Sequence, residues 1–123
     1  MKPWEVYIVD VKFEDSDDRK KRPVLITTDG KAYQLGFKMT TLNRFGDLDY
    51  PLQDWQGVGL IKPTIVRLSK KVPIPMGEED IKYIGEIQPI DKKEILRLCD
   101  KYKIEKDDLT ESRLQEKHNE KCR

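Results

Sequence analysis

Two short stretches carry side chains suited to handling a phosphate. In Lys20-Lys21-Arg22-Pro23-Val24-Leu25-Ile26 an arginine stands where a polar loop gives way to a β-branched run. A guanidinium stays charged at any relevant pH and presents a planar fork of donors, which matches a phosphate. The same residues also read as a solvated basic turn entering a buried strand. In Met39-Thr40-Thr41 two hydroxyls stand side by side. Vicinal threonines are ordinary β formers, and either hydroxyl also suits a non-bridging phosphoryl oxygen. Asp29-Gly30 is a hairpin signal between the two stretches, since glycine accepts the positive φ of such turns. Antiparallel pairing through that turn carries Arg22, near the start of one strand, and Thr40, near the end of the next, to the same sheet edge.

Other chemistry is poorly supplied. Asp47, Asp49 and Asp54 have no histidine or cysteine companions, so a metal site is not expected. Cys99 and Cys122 are too few for a four-ligand zinc site or a disulfide framework, and the single histidine, His118, lies in a polar tail. No cofactor is implied. Trp55 reads as a core or interface residue, with base stacking as its other use.

The elements that must position these groups fit one domain: 123 residues, 37% hydrophobic and 38% charged, imply a compact core under a heavily charged surface. The net charge is only +1, so nucleic acid would have to be met by a local patch. The start lacks a signal-peptide pattern and no run is long enough to span a bilayer, which reads as a reduced, cytoplasmic protein without membrane contact. Trp4 to Phe13 predicts a strand with apolar side chains on both faces, and Glu14 to Lys21 a charged loop. Further strands are expected at Val24 to Thr28 behind Pro23, at Ala32 to Thr40, briefly before Pro51, at Thr64 to Leu68 and at Tyr83 to Ile87, with a bend at Trp55 to Leu60. Asp91 reads as the N-cap of a helix, with Glu94 completing a capping box, Ile90 and Ile95 a hydrophobic staple, and Ile95, Leu98, Cys99 and Tyr102 one face. Strands first and a helix last argue for a small, mainly β barrel with a terminal helix. The domain is drawn at 1–103, and 104–123 as a charged tail, helical or disordered.

Across roughly residues 3 to 100 the order of these segments resembles the MazF/PemK family of toxin endoribonucleases. The matching pieces are the opening strand, a gating loop, Arg22-Pro-Val-Leu-Ile26, Met39-Thr-Thr41, Gly59-Leu60 before Thr64 to Leu68, and the helix from Asp91 to Tyr102. The resemblance implies an SH3-like barrel of the MazF/PemK/CcdB type and a homodimer. It implies metal-independent cleavage of single-stranded RNA through the ribose 2′-hydroxyl, and an antitoxin partner that displaces the gating loop. It makes Arg22 and Thr40 the principal catalytic residues, and Asp17 the match to a loop glutamate five residues before the key arginine. Arg67 matches an arginine some members use, although the acid two positions later in those members is Ser69 here. A composite groove at the twofold axis would draw RNA contacts from Lys20, Lys21, Lys38, Thr41, Arg67, Lys70 and Lys71. Two other readings stay open: a non-catalytic barrel that binds RNA or protein, and a same-fold toxin that poisons a protein target such as gyrase.

Overall fold

Alternating side chains set the architecture. Val6 and Leu25 point to one side of the sheet, and Val9 and Val24 to the other. Both sides therefore bury apolar surface, as the doubly apolar opening run requires. The computed structural model describes residues 1–12, 19–28, 34–42, 44, 46–74 and 81–110. In chain order these form β1 (Glu5–Lys12), β2 (Arg19–Ile26), β3 (Leu35–Thr41), β4 (Asp49–Pro51), α1 (Trp55–Val58), β5 (Thr64–Pro73), β6 (Lys82–Glu86) and α2 (Pro89–Tyr102). The strands make one antiparallel sheet in the order β4-β5-β3-β2-β1-β6.

The mainly β class and the terminal helix agree with the sequence reading, but the sheet is not closed. β4 has three residues and ends at Pro51, which has no N–H to give a further ladder. The chain leaving it turns into α1, whose Val58 carbonyl lies where a Cβ on Gly85 of β6 would meet it at 1.8 Å. A helical turn, not a hydrogen-bonded ladder, thus links the two outer strands. The stretch expected as a bend is this turn. Asp54 Oδ1 accepts from the Gly57 N–H at 2.9 Å, and Gly59 ends it at φ 108°, a conformation that favours glycine.

The larger core lies on one side of the sheet, here the core face, where Val6, Leu25, Phe37, Met39, Val66 and Leu68 meet Ile95 and Cys99 of α2. A helix of this length is marginal alone in water. Burying Ile95 completely contributes about 2–3 kcal/mol, so packing and not propensity holds α2 in place.

The expected cap of this helix is corrected. Gln88 is the N-cap, Pro89 opens the helix, and Asp91 is wholly buried in the first turn. Its carboxylate serves the link between β4 and α1. Oδ1 accepts from the Tyr50 hydroxyl at 2.5 Å and from Gln53 N–H at 2.9 Å, and Oδ2 accepts from Asp54 N–H at 2.9 Å. With these donors in reach, capping the helix's own backbone is the weaker alternative. Burial and this carboxylate raise the Tyr50 pKa above its usual value. Ile90 is 51% exposed, so it makes no staple.

Residues 104–110 form no helix, yet they pack on the core. Leu109 is buried, Asp108 N–H donates to Thr27 O, and Trp4 Nε1 donates to Thr110 O at 2.7 Å. The rest of the expected tail, 111–123, lies outside the described residues, as do positions 29–33 of the expected hairpin turn and third strand. Among the described residues no helix is long and apolar enough to cross a membrane.

Candidate functional site

β2 and β3 part company halfway along. They pair from Ile26↔Gly36 to Val24↔Lys38 and no further. Beyond that point β2 runs on through Arg22 beside β1 alone, and β3 runs on through Thr40 beside β5. Pro23 sits at this parting, where β2 has no β3 ladder to donate to, a permitted place for proline within a sheet.

The parting opens a pocket of about 110 Å³ lined by Arg22, Lys38, Met39, Thr40 and Arg67. That is well below the roughly 300 Å³ at which sites for whole drug-sized ligands begin. It suits one anionic group of a longer molecule. Arg22 stands opposite Val9, half-buried, with its Nε shielded from solvent. Lys38 and Thr40 are half-buried and alternate with the buried Phe37 and Met39, which directs them away from the core face. Lys38 lies opposite Arg67, and like charges so placed are unfavourable. On the far side of Arg67, Asp49 offsets the crowding, its Oδ2 3.3 Å from Arg67 Nη1.

The structure therefore gathers Arg22, Thr40, Lys38 and Arg67 at one pocket. Three other candidates, Lys21, Thr41 and Lys70, do not line it. Lys21 is exposed and alternates to the side opposite Arg22, and Thr41 is exposed and alternates to the side opposite Thr40. Lys20 is in β2, opposite Val11 by register. Lys70 is exposed within an irregular stretch of β5. Asp17 and His118 lie outside the described residues. Lys71 is corrected: it lies on the core face, its Nζ 5.2 Å from the centroid of the Phe37 ring and 2.8 Å from Asp107 Oδ2. Between Lys38↔Arg67 and Phe37↔Lys71, β3 advances one residue while β5 advances four. Such a bulge reverses the parity of the strand.

Asp49 is the site neighbour that sequence reasoning did not assign, having weighed it only as a metal ligand. Its signal lies in the β4–β5 register, which a three-residue strand hardly announces. Asp54 caps α1, and Trp55 packs against the larger core. Among the described residues no group of three histidine, cysteine or acidic side chains could hold a metal ion.

An antiparallel sheet with a C-terminal helix, carrying a cationic pocket where two central strands diverge, defines the fold. No family model matches the sequence, and no curated protein is similar to it at significance. Solved structures are similar. Toxin MazF-mt6 of Mycobacterium tuberculosis superposes with a TM-score of 0.61 at 20% identity, over 82% of this chain and 98% of that one. An endoribonuclease from a mycobacterial species gives 0.59 at 17%, over 80% and 86% of the two chains. A mycobacterial endoribonuclease in complex with its cognate antitoxin gives 0.61 at 17%, over 85% and 97%. The chain has the MazF-type toxin fold.

Proposed function

We propose that this protein is the toxin of a toxin–antitoxin pair, a cytoplasmic endoribonuclease that cuts single-stranded RNA without a metal. The observation that carries this reading is the pocket itself: three cations and a hydroxyl, sized for a phosphate, on a fold of the MazF type. Such a lining repels a metal cation and attracts a phosphodiester.

In the reaction the 2′-oxygen loses its proton and bonds to the adjacent phosphorus. The bond to the 5′-oxygen breaks, leaving a cyclic phosphate and a 5′-hydroxyl once that oxygen is protonated. Negative charge builds on the equatorial phosphoryl oxygens, and donors fixed in advance around them lower the barrier. Arg22 supplies a charged fork for those oxygens, and Thr40 a neutral donor. Lys38 and Arg67 hold the phosphate in the pocket. Asp17 is the candidate base, a task that calls for a pKa brought towards neutrality. Lys20 and Lys70 meet flanking parts of the strand, whereas Lys21 and Thr41 would reach it only around the sheet edge. Two copies of the chain build the longer groove, and the antitoxin closes it by displacing the segment between β1 and β2.

The test is cleavage of a single-stranded RNA in excess chelator, by the wild type and by Arg22→Ala. Wild-type cleavage that the substitution abolishes supports the reading. RNA that is bound but never cut refutes it.

A further inference from the structure

We infer that Asp49 is a positioning residue of this pocket: it aims Arg67 and withholds part of the pocket's positive charge from the bound strand. The inference rests on the RNA-cleaving reading above. Asp49, Arg67 and Lys38 lie in one row across β4, β5 and β3, with neighbouring strands about 4.8 Å apart. The row thus reads minus, plus, plus, with the last two members lining the pocket.

Asp49 is the better-buried member of its pair, its side chain 12% exposed against 35% for Arg67. The oxygen that faces Arg67 also accepts from the Gly46 N–H at 3.1 Å. On the neighbouring residue, the Tyr50 hydroxyl is held by the buried Asp91 of α2. The carboxylate is therefore anchored through β4 to the helix, while the arginine it holds is long and otherwise rich in rotamers. At 3.3 Å the contact is longer than the 2.7–2.9 Å or so of a strong charge-assisted bond. It restrains the guanidinium through one nitrogen, which leaves further donors for a phosphate.

Restraint and charge act in opposite directions on binding and on turnover. Without the Asp49 charge the pocket is more positive and would hold the ground-state phosphodiester more tightly. An aimed Arg67 contributes most when charge develops in the transition state, and tighter ground-state binding alone does not speed that step.

Asp49→Asn keeps the size and an acceptor for Gly46 but removes the charge and the restraint. The experiment compares it with wild type, Arg67→Gln and the double variant. Affinity is read with an oligonucleotide carrying 2′-deoxyribose at the scissile position, and turnover with the matching all-ribose strand. The expected result is affinity about threefold or more tighter at low salt, the gain shrinking as salt screens it. Turnover should fall by about tenfold or more, as misaimed groups cost, and that loss should vanish in the Arg67→Gln background. Damage to the fold alone would lower activity without tightening binding. Unchanged or weaker affinity, unchanged turnover, or an equal loss without Arg67 overturns the inference. Wild-type protein that binds the deoxy strand and leaves RNA uncut refutes the cleavage reading instead, and the affinity comparison still decides whether Asp49 withholds charge.

Discussion

Arg67 and Lys71 are cations four residues apart on the same strand, and they do opposite work. Lys71 lies over the Phe37 ring and donates to Asp107 Oδ2 and to the Glu105 carbonyl, both at 2.8 Å. Its charge fastens the segment after α2 to the sheet. Arg67, on the other side, has one restrained nitrogen and a side chain 35% exposed at the pocket. What separates them is the bulge of β5, which turns a shared parity into opposite faces. A basic residue in this protein lines the pocket or fastens the fold according to the face it reaches, not its place in the sequence.

That contrast can be tested from either side. The largest effect is expected at Arg22: changing it to alanine should slow RNA cleavage by about 100-fold or more, the scale of losing one transition-state donor, with an unmoved melting curve. Equal rates would remove the pocket face from the chemistry. On the core face, Gly85→Ala places a Cβ 1.8 Å from the Val58 carbonyl, and the backbone must shift. A stability loss of about 3 kcal/mol, read by denaturant unfolding, is expected, with turnover per folded molecule unchanged. Lys71→Met should cost about 2 kcal/mol, since it leaves the Asp107 carboxylate short of a charged donor. A specific loss of RNA affinity in that variant would instead return Lys71 to the groove. Smallest is an alkaline effect. Burial, then the Glu5 carboxylate, raise the Tyr7 phenol from 10.0 to about 12. The folded protein keeps a proton that the unfolded chain gives up, so this contribution is complete below pH 10 and is lost as pH climbs to about 12. Tyr7→Phe should flatten the fall in melting temperature across that window.

The sequence made most of the strands and the Arg22–Thr40 meeting legible, because apolar alternation is a local property. Arg19 to Lys21, however, expected in a loop for their charge, already belong to β2 and pair with β1. Arg22 and Thr40 then share a pocket with Lys38 and Arg67 by antiparallel register alone. The grouping of Arg67 with Lys71 failed at the bulge, because parity counted along a strand assumes a regular one. Asp91 misled for a related reason. An acid at a helix start reads as a cap, and only the fold brings Tyr50, Gln53 and Asp54 to it. Asp49 stayed hidden because its meaning depends on the strand beside it. Residues 104–110 read as solvated for their charge, while Leu109 and the Trp4–Thr110 bond decide their place.

That last bond joins positions 106 apart in the chain. Trp4 also donates its N–H to Ile26 O and accepts from Ile87 N–H, so one residue near the start waits on three later stretches. During synthesis, at some 5–20 residues per second, the opening strand emerges seconds before the groups that complete its packing exist. The core is finished only when the segment around Leu109 has left the ribosome. A chain stalled or cut before that segment therefore lacks the seal over Trp4, and its larger core stays open at that end.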